Sequence, residues 1–285
     1  MVVMASLMKL LEAKGVLAFI AKLLSPILKP FGIPGIGVFA ILQSLLVSFA
    51  APVATLSIME NDGTATRKIA ATLAMVLTLS QANVVFPLVA VGLNLWVIFI
   101  TSLIGGVIAS TLTYYYFASS KDNEPHESIT NDAIRETQEK GFLSILVDGG
   151  QEGVQIALKS IHILVLAICL VNILKATGII SLTEWGLSPA LNKMGLPGIA
   201  VLPIATKFLA GGTAMMGVTI NLVKEGAMTP LEVNRIAGLV INPLDLVGVA
   251  VLSSAGPRVA SVVKPAMKGA LVGVLARCIL HLIIF

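Results

Sequence analysis

Long apolar stretches, each broken by a few polar residues, run through most of this chain. The stretch 196–223 is longer than the roughly 20 residues that a helix needs to cross a bilayer, but Lys207 lies near its middle, and Gly211 and Gly212 follow. A lysine at this depth costs about 2.5–3.5 kcal/mol on insertion scales, so its ammonium group is expected to have a partner inside the protein. The nearest candidate is Asp245, in the next apolar stretch.

That next stretch also carries a break. Pro243 stands between Asn242 and Asp245 in the sequence, and proline removes a backbone donor and can interrupt a helix. Two neighbouring spans, each interrupted and each carrying one buried charge of opposite sign, are typical of a binding site inside a membrane protein. The alternative interpretation is a structural pair that only locks two helices together.

Composition places the chain in a membrane and excludes several functions. Of 285 residues, 56% are hydrophobic and 12% charged, whereas soluble domains have about 25% charged residues. The net charge of +4 is spread over loops and does not indicate nucleic-acid binding. The two cysteines lie in apolar stretches, and the three histidines lack the spacing of a zinc site. Because no nucleophile–base pair stands out either, we expect no metal, no cofactor and no enzymatic activity.

The chain contains an internal repeat. The segment 24–28 recurs as 187–191, and the Gly-x-Pro-Gly turn at 32–35 recurs as 195–198, at the same offset. Motifs that keep their order and spacing indicate a duplicated unit. We therefore predict a first membrane repeat, a polar cytoplasmic connector with a short helix, and a second membrane repeat: 1–118, 119–152 and 153–285.

Superposing the repeats identifies the candidate site. Ser44 falls opposite Lys207 at this offset, and Asn83 falls opposite Asp245 after a one-residue shift, so the first repeat has neutral polar groups where the second has charges. This pattern predicts a polar, substrate-binding cavity between the repeats, near the membrane midplane. The first repeat would contribute Gln43, Ser44, Ser80, Gln81 and Asn83. The second would contribute Thr206, Lys207, Thr213, Asn242 and Asp245. Backbone breaks are expected at Pro52, Gly211, Gly212 and Pro243.

The fold class follows, but the number of crossings stays open. The stretch 95–118 is the clearest crossing, because Trp96 opens it and aromatic residues from Tyr114 onward close it. If 33–58 and 196–223 cross fully, each repeat has four crossings and the repeats are parallel. If these stretches re-enter at their breaks, each repeat has three crossings and the repeats are inverted. We predict an all-α integral membrane protein of the cell (inner) membrane, with broken or re-entrant helices around a central polar site.

Three kinds of short motif resemble those of the nucleoside-recognition (Gate) domain family. This family includes the spore maturation proteins A and B, the membrane part of the ferrous iron transporter B proteins and parts of concentrative nucleoside transporters. The motifs are the two Gly-x-Pro-Gly turns, the small-residue runs and the polar breaks, at 32–35, 195–198, 48–52, 211–216, 79–83 and 241–245. The resemblance implies a permease-like core with nucleosides or small ions as cargo.

The expected function is transport of a small polar solute, nucleoside-like or zwitterionic, coupled to an ion or a proton. Lys207 would hold an anionic or carbonyl group of the solute, and Asp245 a cation or proton. The alternative is a non-transporting membrane scaffold or partner subunit of the spore-maturation type. The expected partners are the lipid bilayer, a small-molecule solute, a coupling ion and a second copy of the chain, without nucleic acid.

Overall fold

The computed structural model describes residues 15–118, 195–196 and 198–285, together with six isolated positions between 118 and 195. These residues form helices and no strands, which confirms the all-α class. The predicted connector helix and most of residues 153–194 of the second predicted repeat lie outside the described residues.

The two repeats contain the same kinds of helix in the same order. The first repeat contains α1 (Val16–Leu28), α2 (Gly35–Leu46), α3 (Pro52–Asn61), α4 (Thr66–Thr78), α5 (Ala82–Val89) and α6 (Leu95–Leu112), which a π-helical turn (Thr113–Phe117) extends. The second contains α7 (Val201–Ala210), α8 (Gly212–Lys224), α9 (Pro230–Val240), α10 (Leu246–Ser253), α11 (Pro257–Ser261) and α12 (Val263–Ile284). Each repeat thus has two short helices joined at a break, then an interrupted span, then a long helix.

The paired short helices are hairpins. The Thr55 hydroxyl of α3 donates to Gln43 Oε1 of α2 at 2.8 Å, across the turn between the helices. Residues twelve apart in a straight helix would be separated by about 18 Å, so the chain must reverse between α2 and α3. In the second repeat, α7 and α8 also pack against each other. None of the four is long enough to cross a hydrocarbon core of about 30 Å, which agrees with the re-entrant scheme.

Within the described ranges, three stretches are long and apolar enough to cross a membrane: Thr66–Val89, Leu95–Phe117 and Val263–Ile284. The first, which comprises α4 and α5, is 94% buried inside the protein, whereas the other two are 39% buried. The interrupted span is therefore central, and α6 and α12 each present a face to lipid. Trp96 and Tyr116, near opposite ends of the predicted crossing, are 76% and 75% exposed, as expected for interfacial aromatic belts.

In each repeat, an arginine of the interrupted span donates hydrogen bonds to a backbone carbonyl near the end of the long helix. Arg67, at the start of α4, donates to the Tyr114 carbonyl from Nε at 3.1 Å and from Nη2 at 2.6 Å. Arg235 of α9 donates from Nε to the Phe285 carbonyl at 3.0 Å. The repeats therefore share this contact as well as their helix order.

The repeats share one core, because α12 packs along both α4 and α6 of the first repeat. Gly105 of α6 and Gly273 of α12 face each other, and a Cβ atom at Gly273 would lie 2.9 Å from Ala109 Cβ. Small residues of this kind let helix backbones approach closely in membranes. A second contact between the repeats lies near the hairpin of the first repeat, where Glu60 Oε2 accepts a hydrogen bond from the Val259 backbone N–H at 3.0 Å. The interrupted spans of both repeats are thus held in one unit.

Candidate functional site

Four helix breaks surround one cavity. The α2–α3, α4–α5, α7–α8 and α9–α10 junctions each contribute to its wall, which encloses about 230 Å³. The lining residues are Phe49, Gln81, Ala210, Gly211, Gly212, Thr213, Asp245 and Val247. Both repeats therefore contribute, which is the position that the repeat alignment predicts for a site.

Two helices begin at this cavity without a side-chain cap. Gln81 precedes α5 and Gly211 precedes α8, and neither helix start has a capping hydrogen bond from a side chain. The φ angle of Gly211 is +86°, a conformation that glycine adopts without a Cβ penalty, so the predicted break lies here. First-turn N–H groups lack helical partners and carry the positive end of the helix dipole. The cavity therefore offers backbone donors to an acceptor or anionic group.

A buried ion pair borders the cavity. The side chain of Lys207 is 0% exposed, and its Nζ donates to Asp245 Oδ2, which confirms the predicted partner. Asp245 Oδ1 accepts from the Gly248 N–H at 2.7 Å and so caps α10. Lys207 lies one turn before Gly211, whose N–H donates to the Lys207 carbonyl at 3.0 Å. The pair therefore links the break of the second hairpin to the break of the second interrupted span.

Three further predicted residues come together beside this pair. Asn83 Nδ2 lies 3.5 Å from Thr213 Oγ1, a contact between the repeats. Asn83 Oδ1 is buried and has no hydrogen-bond partner among the described residues. The Gln81 amide lies against the start of α8, and a Cβ atom at Gly212 would be 3.1 Å from Gln81 Oε1. A glycine at 212 thus leaves room for the amide to face the cavity.

Five other predicted site residues are absent from the cavity wall, and all of them except Gln43 are buried. Thr206 donates to a carbonyl of its own helix at 2.7 Å, and Gln43 is bonded to Thr55 as described above. Asn242 bridges two backbone groups of the α9–α10 break, at 2.8 and 3.1 Å. Ser44 and Ser80 are fully buried, and their hydroxyls have no partner among the described residues. A solute-binding role for these five residues stays a prediction.

The predicted proline breaks have clear structural positions. Pro52 is the first residue of α3, where its missing N–H costs no helical hydrogen bond. Pro243 lies between α9 and α10, and its carbonyl accepts from the Asp245 N–H at 2.9 Å. Each proline therefore ends or begins a helix close to the cavity.

The apolar part of the wall is formed by Phe49, Ala210 and Val247, which were not predicted from the sequence. Apolar residues in an apolar chain give no signal by type. Phe49 could have been found from the repeat, since it falls opposite Gly212 at the common offset. Among the described residues, no group of three or more His, Cys, Asp or Glu could hold a metal ion.

Arg277 of α12 donates a hydrogen bond at the break between α4 and α5. Its side chain is fully buried, and Nη1 donates to the Thr78 carbonyl at the end of α4. The break leaves carbonyls at this helix end without partners in the helix, so the guanidinium takes the place of a helical N–H. Nε and Nη2 have no partner among the described residues. Gly105 makes space for the arginine, because a Cβ atom there would lie 2.7 Å from Arg277 Cδ.

We expect Arg277→Met to change the free energy of unfolding by less than about 2 kcal/mol. The unpaired Thr78 carbonyl costs about 1–3 kcal/mol, but the variant also removes a buried charge with two unpaired nitrogens. Chemical denaturation of the purified protein measures the change. As a matched control, Arg235→Met removes hydrogen bonds to two carbonyls from a less buried arginine and should cost about 1–3 kcal/mol. A loss above about 4 kcal/mol at Arg277 would contradict this prediction.

Comparisons with known proteins agree with this geometry. The Gate family, described as nucleoside recognition, matches residues 1–116 and 157–265. Among solved structures, a double variant of the concentrative nucleoside transporter CNTnw in an outward-facing state aligns with a TM-score of 0.76 and 18% identity, over 99% of this chain and 72% of that one. CNTnw in an inward-facing, substrate-bound state aligns with a TM-score of 0.70 and 17% identity, over 99% and 72%.

At these identities the structural likeness shows the fold, which is that of a membrane transporter. A search of curated proteins finds no match to the sequence. The family match covers most of the chain and falls on both repeats, as the short motifs predict. The chain therefore belongs to the Gate (nucleoside recognition) family.

Proposed function

We propose that this protein transports a small polar solute across the cell inner membrane and binds it in the cavity between the four breaks. The observation that carries the proposal is that α5 and α8 begin, without a side-chain cap, at a cavity between the two repeats. A buried helix start without a partner is unusual unless a ligand satisfies its N–H groups. A carbonyl, carboxylate or phosphate oxygen of the solute would accept those hydrogen bonds.

Size and wall chemistry narrow the solute class. A cavity of about 230 Å³ is below the range of about 300–1,000 Å³ for drug-sized ligands, so the solute is small. Gln81 and Thr213 provide side-chain hydrogen bonds on one side, and Phe49 provides an aromatic surface. A flat polar ring could stack on this phenyl group while its edge groups bond to the amide and hydroxyl. These features favour a nucleoside-like solute, with a zwitterionic metabolite as the next candidate.

The comparisons support transport as the activity. CNTnw, whose fold this chain shares, is recorded in outward-facing and inward-facing states. We propose a similar alternation here, coupled to an ion or a proton. Asp245 is the carboxylate in the cavity wall and is therefore the candidate group for coupling to a proton.

Thermal unfolding of the purified protein against nucleosides, nucleobases, amino acids and small carboxylates tests the proposal. A ligand of the folded state should stabilise it by about 2.7 kcal/mol at a hundred times its Kd. Gln81→Ala and Thr213→Val should each weaken binding about tenfold, because losing one buried hydrogen bond costs about 1–3 kcal/mol. Ser254→Ala, an exposed position outside the cavity, is the matched control and should leave affinity unchanged.

Uptake into proteoliposomes then separates transport from binding alone. The solute identified by unfolding should accumulate in vesicles that contain wild-type protein and not in vesicles with the Thr213→Val variant at low solute concentration. If no compound shifts the wild type, or if binding occurs without uptake, the transporter proposal fails. The scaffold or partner-subunit alternative would then be favoured.

A further inference from the structure

Both oxygens of the Asp245 carboxylate are occupied inside the protein. Oδ1 accepts from the Gly248 N–H at 2.7 Å, and Oδ2 accepts from the Lys207 ammonium. The Lys207 side chain is 0% exposed and the Asp245 side chain 3% exposed, so water does little to screen this pair. The carboxylate is therefore neutralised by a cation that belongs to the same chain.

The place that the ammonium occupies has the chemistry of a cation site. Lys207 lies in the last turn of α7, where the negative end of the helix dipole favours a positive charge. The break that follows, at Gly211, lies against Asp245, since a Cβ atom at Gly211 would be 3.8 Å from Asp245 Oδ1. A buried carboxylate next to the break that ends a half-helix is an arrangement that can hold a monovalent cation in membrane transporters.

We propose that Lys207 is a tethered cation, which fills at Asp245 a site that a free monovalent metal ion could otherwise occupy. The inference rests on the proposed function, because it concerns which ions that function requires. The wild-type protein then needs no sodium ion at this carboxylate, and the site becomes a sodium site when the ammonium group is removed. Any metal ion used for coupling would bind elsewhere.

Only the second repeat carries the pair of charges. Ser44 falls opposite Lys207 in the aligned sequences, and Gln81, which precedes α5, has the place that Asp245 has before α10. Both equivalents are neutral, so the first repeat has neither a carboxylate that needs a counter-ion nor an ammonium to supply one. The second repeat carries both charges, which is expected if the lysine replaces an ion from solution.

Cation-dependent thermal unfolding tests this inference without any solute. The full chain is purified in choline chloride and titrated with NaCl, LiCl or methylammonium chloride at constant ionic strength. The wild type should show no saturable rise of Tm that is lost in the Lys207→Met and Asp245→Leu double variant. Lys207→Ala should have a lower Tm in choline chloride and should regain much of the loss, saturably, with Na⁺ or methylammonium. Lys207→Ala combined with Asp245→Leu should not respond.

The outcomes are informative even if Lys207→Ala does not fold. Lys207→Arg keeps a cation at the site and should behave as the wild type does. A saturable Na⁺ response of the wild type that disappears in the Lys207→Met and Asp245→Leu double variant would overturn the inference, since an ion from solution would then use Asp245 beside Lys207. A folded Lys207→Ala protein that responds to none of the cations would overturn it as well. Failure of the solute screen would leave these responses unchanged, so the two proposals fail separately.

Discussion

Asp245→Leu, with Lys207 retained, is expected to lower the free energy of unfolding by about 3–5 kcal/mol and to abolish uptake. The variant leaves a fully buried ammonium without its carboxylate, and an unpaired buried charge is among the most costly defects in a folded protein. It also removes the hydrogen bond that caps α10. No cation in the buffer should restore the loss, because the remaining charge is positive. Chemical denaturation and uptake into proteoliposomes measure the two effects.

The control for this prediction removes both charges. Replacing a buried pair with apolar residues of similar volume is often neutral or stabilising, so Lys207→Met with Asp245→Leu should recover most of the stability. Uptake should remain absent, because the cavity then lacks its carboxylate. A double variant that keeps wild-type uptake would show that the pair is structural. A single Asp245→Leu variant as stable as the wild type would contradict the ion pair.

Gly273→Leu is expected to destabilise the protein by about 3 kcal/mol, near the upper end of the usual range for overpacking. The new side chain would start 2.9 Å from both Ala109 Cβ and Thr78 Cγ2, between helices whose backbones are already close. Separating α12 from α6 would also withdraw Arg277 from the end of α4, so uptake should fall with stability.

Ala276→Leu, on a less buried face of the same helix, is the matched control. It adds three carbon atoms instead of four, at a partly buried position, and should change stability by less than about 0.5 kcal/mol. Thermal and chemical unfolding of both variants measure the difference. Equal losses would show that the effect comes from the helix in general and not from its contact with α6.

The ion pair was predictable from the sequence, because burying an unpaired charge in the membrane costs free energy. A lone lysine in an apolar stretch has one plausible partner nearby, and the structure joins Lys207 to Asp245 as expected. The breaks were predictable for a related reason, since glycine and proline at Gly211 and Pro243 disfavour a continuous helix. The prediction and the structure agree where the residue types nearby in the sequence allow only one arrangement.

Other features depend on contacts that no local rule contains. A uniformly apolar stretch has no periodicity that separates a hairpin from a crossing, so the reversal at 47–51 became clear only from the bond between Thr55 and Gln43. Polarity alone also does not separate a side chain that faces a ligand from one that satisfies the backbone. Thr206 and Asn242 looked the same as Thr213 in the sequence, but their hydrogen bonds go to backbone groups.

The packing of α12 on α4 has a consequence for biosynthesis. Every residue of α4 from Ile69 to Thr78 is buried, and much of that cover comes from α12, which leaves the ribosome nearly two hundred residues later. Until then the Thr78 carbonyl at the end of α4 lacks its final partner, the Arg277 guanidinium, and no water is available to it in the hydrocarbon core. The first repeat therefore cannot mature while the second is being translated, unlike domains that fold in order as they emerge. We therefore expect the helices of both repeats to insert into the membrane first and to pack into the folded protein together.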